Sequence, residues 1–160
     1  MQNKKDFDVT KKYSAFSYAT FLLSKQEYSQ HKVREKLNEK GYPKKDIEET
    51  ITKLLDIKYL DDERFTDMFV RSKINGNGWG RYKISMELSM KHGVDKNIIE
   101  SVLDQYDFDN ERIRQYIKKF GTEKPVDNKD YQKRMGFLAR KGFSAKLPTE
   151  DEIMDFQNRD

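Results

Sequence analysis

A short helix-ending pattern occurs three times in this chain, and it constrains the fold more than any other feature. A leucine stands four or five residues before a glycine, and an apolar residue follows the glycine directly. The three copies are residues 37–42, 88–94 and 138–143. A glycine followed by an apolar residue is typical of a helix that ends in a left-handed C-cap. The three glycines lie 52 and 49 residues apart, a period that predicts a threefold helical repeat.

The hydrophobic pattern between these stops predicts three helices in each repeat. Apolar residues recur three or four positions apart, and no stretch alternates in the way that is typical of a strand. We therefore predict an all-α fold, an elongated array of three tandem three-helix repeats. The predicted repeats cover residues 14–59, 60–107 and 108–157, after a polar N-terminal tail at residues 1–13. Pro148 displaces the last helix, and a capping box at Thr149 predicts a short acidic helix over residues 150–157.

Individual helix ends and core positions follow from the same pattern. Ser29, Asp61 and Asp95 are predicted N-caps, and Pro43 is predicted to open a helix. Residues 75–80 contain three alternating glycines and are predicted to form a turn outside any helix. The main side chains predicted to face the cores are Phe16, Ala19, Leu23, Val33, Leu37, Ile47, Ile51, Leu54, Leu55, Phe65, Met68, Phe69, Ile84, Leu88, Ile98, Ile99, Val102, Leu103, Ile113, Tyr116, Ile117, Phe120, Tyr131, Met135 and Leu138.

The composition limits the class of protein. Hydrophobic residues make up 35% of the 160 residues and charged residues 38%, which favours thin cores in neighbouring units over one large core. The chain has no cysteine, which excludes disulfides and thiolate chemistry and favours an intracellular, cytoplasmic setting. No apolar run approaches the roughly 20 residues that a membrane span requires, and the N-terminus lacks an apolar signal core. We therefore expect no membrane partner.

No group of residues has the spacing of a catalytic or metal-binding centre. Residues 75–80 lack the strand and the Gly-Lys-Ser/Thr ending of a phosphate loop, and the acidic segment 104–111 lacks the glycine of a calcium loop. His31 and His92 have no partner of ligand type at ligand spacing. We therefore expect that the protein is not an enzyme and that it binds no metal, cofactor or small-molecule substrate. Trp79 either staples its turn to the following helix or stacks on a base or a partner.

The charge is unevenly distributed along the chain. The net charge is +4 over residues 1–60, −3 over residues 61–110, +7 over residues 111–147 and −4 over residues 148–160. The predicted helix over residues 128–141 places Lys129, Lys133 and Arg140 on one side, with Arg134 and Lys141 beside them. The preceding helix adds four cations, Arg112, Arg114, Lys118 and Lys119. This basic cluster is either a solvated face or an electrostatic footprint for a polyanion.

Several stretches taken together resemble the RecX family, the bacterial regulators of the RecA recombinase. They are LDDERF at residues 60–65, WGR at residues 79–81, KHGV at residues 91–94 and FLARKGF at residues 137–143. The first repeat is similar through Ser29, Val33, Leu37 and the KGY sequence at residues 40–42. The resemblance covers about residues 14–147. Each stretch is weak alone, but their order and spacing are specific.

The resemblance implies a modulator without a catalytic site that lies in the groove of the RecA–DNA filament. It implies suppression of ATP turnover and strand exchange, through a block of filament growth or through disassembly. We expect partner contacts from Arg64, Arg71, Arg81, Lys83, Arg112 and Lys119. We expect contacts with DNA phosphates or an acidic protein surface from Lys129, Lys133, Arg134, Arg140 and Lys141. Two alternatives are a stand-alone binder of single- or double-stranded DNA, and a protein-interaction repeat with no nucleic acid nearby.

Overall fold

Helices account for all the regular structure in residues 9–159, the part of the chain that the computed structural model describes, and no strand occurs there. A single turn, α1 (Val9–Lys12), lies within the predicted tail, whose residues 1–8 are outside the described part. The longer helices are α2 (Ala15–Leu23), α3 (Gln30–Glu39), α4 (Lys44–Asp56), α5 (Asp62–Asn77), α6 (Arg81–Met90), α7 (Lys96–Leu103), α8 (Phe108–Phe120), α9 (Asn128–Lys141) and α10 (Glu150–Arg159). The predicted all-α fold of tandem three-helix repeats is confirmed.

Each group of three helices encloses its own hydrophobic core. We name the groups the first unit (α2–α4), the second unit (α5–α7) and the third unit (α8–α10). Leu37 and Ile51 are central in the first core, Ile84 and Leu88 in the second, and Leu138 in the third. Extensive helix packing is confined to pairs within one unit, and no hydrogen bond between the first and third units is found among residues 9–159. The units are therefore packed in series.

The predicted N-caps are confirmed by hydrogen bonds. The side chain of Ser29 accepts from the Lys32 N–H, that of Asp61 from the Arg64 N–H, and that of Asp95 from the Asn97 N–H. Each bond satisfies a backbone donor that the helix itself cannot pair. The capping box at the start of α10 is also present, because the Glu152 N–H donates to Thr149 Oγ1 at 3.2 Å and Glu152 Oε2 accepts from the Thr149 N–H at 2.8 Å.

The prediction that residues 75–80 form a turn outside any helix is wrong for residues 75–77, which are helical. α5 continues to Asn77, and the left-handed residue that ends it is Gly78, with φ 59°. The Gly78 N–H donates to the Ile74 carbonyl and the Trp79 N–H donates to the Lys73 carbonyl, so the last helical carbonyls are satisfied. One glycine inside a helix costs only about 1 kcal/mol, which this C-cap offsets.

Some side chains predicted to be in the cores lie outside them. Leu55, Met68 and Tyr131 are exposed, and Met135 is only half-buried. In α9 the predicted Leu138 is buried, but the other buried side chain is Arg134 rather than Tyr131 or Met135.

The first junction, between the first and second units, places the start of α3 against the segment that ends α6. The Ser29 hydroxyl donates to the His92 carbonyl at 2.5 Å, and the Asp62 carboxylate accepts from the Gln30 N–H at 2.8 Å. A Cβ added to Gly93 would lie 2.4 Å from the His31 ring, so glycine is required for this approach.

The second junction, between the second and third units, repeats this arrangement with backbone atoms. The Gly80 N–H donates to the Lys141 carbonyl at 2.7 Å, and the Tyr82 N–H donates to the Gly142 carbonyl at 3.0 Å. In both junctions the amino-terminal end of one unit's second helix meets the carboxyl-terminal stop of the next unit's second helix. The positive end of one helix dipole thus faces the negative end of another, which stabilises the contact.

Candidate partner-binding surface

Arg64 is held within the protein at the first junction. Its guanidinium donates to both carboxylate oxygens of Glu27, at 2.9 and 3.3 Å, and to the carbonyls of Lys58 and Tyr59. The hydrogen bond that Arg64 donates to Glu27 is the main cause of a raised Arg64 pKa. Because four acceptors already occupy this side chain, its primary role is to tie the first unit to the second.

Arg71 and Arg81 are paired with acidic side chains of their own unit. Arg71 lies 2.7 Å from the Asp67 carboxylate but remains largely exposed. Arg81 contacts the carboxylates of Glu100 and Asp104, the latter at 2.8 Å. These pairs neutralise the positive charge of the second unit locally. Arg71 can still reach a partner, whereas Arg81 is mainly committed to α7 and the residue that ends it.

Lys83 and Trp79 form a small cluster beside the second junction. The Lys83 Nζ lies 4.4 Å from the centre of the Trp79 ring, and the Lys73 Nζ lies 4.8 Å from it. Trp79 also packs against the second core. The ring therefore staples the turn to α5 and α6, which is one of the two roles predicted for it. Lys83 Nζ also approaches the Arg140 carbonyl at 3.5 Å, so it bridges two units.

Arg112 was predicted to contact a partner, but it is buried. Only 2% of this residue is exposed, and its guanidinium donates to the Lys146 carbonyl at 3.0 Å and to Glu152 at 3.2 Å. Its Nε lies 3.5 Å from the Asp109 carboxylate, an ion pair without hydrogen-bond geometry. The Thr149 N–H and the Arg112 charge lower the pKa of Glu152. Arg112 therefore fixes α10 and the preceding loop to α8.

Arg134 was predicted to contact DNA phosphates or an acidic protein surface, but it is buried as well. Only 6% of it is exposed, and its Nη1 donates to Tyr116 Oη and to the Glu123 carbonyl, each at 2.7 Å. Its Nε donates to the Asp130 carboxylate at 3.0 Å, and this hydrogen bond is the main cause of a lowered Asp130 pKa. A buried, fully paired guanidinium holds α8, α9 and the intervening loop together and is not offered to a ligand.

The pattern of the sequence contained a signal for this burial. Arg134 stands four residues before Leu138, as Val33 does before Leu37 and Ile84 before Leu88. In all three second helices this pair of positions is buried. Alignment of the repeats on their leucines therefore places Arg134 at a core position, whereas hydropathy alone does not.

Four other cations of the third unit that were predicted to bind a partner or phosphate are exposed. Lys119 lies near the end of α8, and Lys129, Lys133 and Arg140 lie along one side of α9. None of these four side chains forms an ion pair with another residue of the described part of the chain. We name them the free basic patch. Lys141 beside them is half-buried, and its Nζ donates to the Asn77 carbonyl at 2.6 Å across the second junction.

Gly136 leaves room for one member of this patch. Successive residues rotate by 100° along a helix, so Gly136 falls on the same line of α9 as Lys133 and Arg140. A Cβ added to Gly136 would lie 3.0 Å from Arg140 Nη1. The Arg140 head therefore lies over the glycine. A concentration of positive charge without acidic partners attracts polyanions, and guanidinium groups bind both phosphate and carboxylate through paired hydrogen bonds.

Residues 9–159 contain neither a membrane-spanning helix nor a metal-binding cluster. No helix there is both long and apolar enough to cross a bilayer. No three acidic or histidine side chains in that range are arranged to hold a metal ion.

Known proteins match this chain over most of its length. The models of the first, second and third three-helix domains of RecX match residues 15–54, 61–103 and 113–147. The regulatory protein RecX of Legionella pneumophila (strain Corby) is 34% identical over 131 residues, which cover 81% of this chain and 86% of that protein. The regulatory protein RecX of Vibrio vulnificus (strain CMCP6) is 34% identical over 125 residues, 77% of this chain and 80% of that protein.

A solved structure has the same fold. The crystal structure of RecX from Lactobacillus salivarius superposes with a TM-score of 0.71 at 24% identity, over 95% of this chain and 96% of that one. Three domain matches in the expected order, relatives more than 30% identical over most of their length, and a shared architecture agree. The chain belongs to the RecX family.

Proposed function

We propose that this protein regulates the RecA recombinase by binding the recombinase–DNA filament, and that it does so without catalysing a reaction. It lies along the filament groove, suppresses ATP hydrolysis and strand exchange, and blocks filament growth or promotes disassembly. The observation that carries this proposal is the free basic patch. Its four cations form no ion pair within residues 9–159, and they belong to a unit that is docked through backbone hydrogen bonds to the second unit, in which Arg71 and Arg81 are paired with carboxylates.

This arrangement supports two simultaneous contacts. The free basic patch is suited to the DNA backbone or to an acidic protein surface, because each cation that meets a phosphate also releases counterions. Among the middle cations, Arg71 remains available to a protein partner, and Lys83 of the same unit is half-buried. A serial array of three units suits an extended groove better than a pocket.

A RecA ATPase assay together with filament-length measurements tests the proposal. The triple variant Lys129→Glu, Lys133→Glu, Arg140→Glu removes most of the free basic patch. We expect it to need at least tenfold more protein for half-inhibition of ATP hydrolysis, because three favourable charges become three repulsive ones. A matched control is Lys44→Glu, Lys58→Glu, Lys96→Glu, which changes the net charge equally at exposed positions of the first and second units. The control should inhibit like the wild type.

The second candidate function is stand-alone DNA binding, which the same patch also favours. The salt dependence of DNA affinity and of inhibition distinguishes it from regulation of the filament. Loss of three phosphate contacts should reduce the slope of log affinity against log salt by about 3. If the protein regulates the filament, inhibition persists at salt concentrations where binding to naked DNA is lost. If both activities disappear at the same salt concentration, DNA binding alone explains them. A wild-type chain that leaves RecA ATP hydrolysis unchanged at every concentration rules out the regulator function.

A further inference from the structure

Helix α6 is apolar on two opposite sides. Ile84 and Leu88 are fully buried in the second core. On the other side Tyr82, Met86 and Met90 are 65%, 60% and 77% exposed. Their spacing of four residues places the three side chains on one line of the helix surface, which we name the α6 stripe. Single exposed apolar residues are ordinary, but an aligned set of three large ones marks an interaction surface.

The other repeats show that the fold does not require this stripe. The buried leucines Leu37, Leu88 and Leu138 align the three second helices. The positions equivalent to Tyr82, Met86 and Met90 are His31, Glu35 and Glu39 in α3, and Gln132, Gly136 and Arg140 in α9. No apolar side chain stands at any of these six positions. The second unit alone therefore presents apolar side chains at positions that the same helix in its neighbours keeps polar or bare.

The rim of the α6 stripe carries little uncompensated charge. Glu87 and Lys91 pair with each other at 2.6 Å. Arg81 is neutralised by Glu100 and Asp104. Lys83 is turned onto the Trp79 ring. A surface that binds nucleic acid or an anionic bilayer needs free cations around its apolar part, and the stripe has none in residues 81–91. Its chemistry instead fits an apolar protein surface.

The size of the α6 stripe decides between a second copy and another protein. At about 200 Å² for a full side chain, the three exposed fractions correspond to roughly 400 Å² of apolar surface. A stable specific interface buries about 800 Å² on each partner. Two stripes facing each other would fall well short of this. The stripe therefore suits a partner that is held at other points too, as the free basic patch would provide through the third unit.

We propose that the α6 stripe is the protein-contacting anchor of this regulator, and that it inserts into an apolar groove on a recombinase subunit of the filament. This inference rests on the proposed function and assigns protein contact and phosphate contact to different units. The second unit contacts protein through Tyr82, Met86 and Met90, while the third unit contacts phosphate. Helix-in-groove recognition uses side chains at this spacing, and methionine adapts its shape to an irregular groove.

The sister repeats supply the test substitutions. The variant Met86→Glu, Met90→Glu introduces the residues that α3 carries at the same positions, Glu35 and Glu39. The matched controls are Met68→Glu and Met154→Glu, since these methionines are 51% and 55% exposed but lie on α5 and α10. Each variant is assayed as the full chain for helix content, unfolding midpoint, affinity for DNA without recombinase, and inhibition of recombinase ATP hydrolysis.

We expect the double variant to keep its helix content, unfolding midpoint and DNA affinity, and to need at least tenfold more protein for half-inhibition. The controls should change none of these. Inhibition by the double variant at wild-type concentrations overturns the inference and leaves the proposed function standing. A parallel loss of DNA affinity assigns the stripe to nucleic acid, and a wild-type dimer that the variant dissociates assigns it to a second copy; either result overturns the inference. If the wild type itself does not inhibit, the proposed function fails first, and the inference fails with it.

Discussion

Replacement of Gly80 by alanine tests whether the second junction depends on close backbone contact. Gly80 has φ −87° and ψ 169°, a conformation that alanine adopts without strain, so only the new contacts matter. The added Cβ would lie 2.5 Å from the Gly142 carbonyl group and 2.6 Å from the Phe143 ring. The nearest obstacle is backbone. It cannot rotate aside, so the third unit must shift as a whole.

The expected loss follows from the contacts that such a shift disturbs. The Gly80–Lys141 and Tyr82–Gly142 hydrogen bonds are each worth about 1 kcal/mol net. Overpacking adds about 1–3 kcal/mol, and the reduced entropy of the unfolded alanine chain offsets about 0.4–1 kcal/mol. We expect Gly80→Ala to lower the free energy of unfolding by about 2–4 kcal/mol, mainly by weakening the docking of the third unit.

Urea unfolding followed by circular dichroism, together with hydrogen exchange of the Tyr82 amide, measures this effect. Gly76→Ala is the matched control, because Gly76 lies within α5 and a Cβ there meets no atom within 4 Å. The control should gain up to about 1 kcal/mol from helix propensity. If Gly80→Ala unfolds at the wild-type urea concentration and protects the Tyr82 amide equally, the junction does not depend on this contact.

Two further predictions concern buried charge and pH. Arg134→Leu should lower the free energy of unfolding by about 2–4 kcal/mol, because Tyr116 Oη, the Glu123 carbonyl and Asp130 lose their partner. Urea unfolding measures this loss, and the control Lys133→Gln should change the free energy of unfolding by less than about 0.5 kcal/mol. Equal stabilities of the two variants would contradict the prediction. Burial lowers the pKa of His92 below its ordinary 6.5, so the neutral form stabilises the fold. That contribution is complete above pH 6.5 and is lost as pH falls through the lower folded-state pKa. The unfolding midpoint of the wild type should therefore fall more steeply in acid than that of His92→Gln, and parallel curves would show that burial at this position has no effect.

Helix starts and stops could be predicted from the sequence because their physics is local. A side-chain cap needs only its own residue and the next three, so Ser29, Asp61 and Asp95 could be assigned without a tertiary structure. The glycine stops likewise depend on φ, and Gly41, Gly93 and Gly142 have φ of 87°, 58° and 91°. Residues 75–80 were harder, because which of several glycines ends a helix depends on where the following Trp79 packs.

The buried arginines could not be predicted from hydropathy. Arg112 is buried because Glu152 and the Lys146 carbonyl, more than 30 residues away in the chain, supply its partners. Arg134 takes a core position because Tyr116 and Asp130 satisfy it. A count of charges along α9 includes such residues with the free ones, so the predicted basic cluster was larger than the exposed one. The division between paired and free cations depends on tertiary contacts.

The second junction has a consequence for how this array tolerates change. Two of its hydrogen bonds run between main-chain atoms, and every amino acid other than proline supplies the N–H donor that they need. Most surface substitutions therefore leave these two bonds in place, provided that Gly80 and Gly142 remain. Binding surfaces of different chemistry can therefore lie on adjacent units. The side chains of one surface can change while these backbone bonds keep the other unit in place.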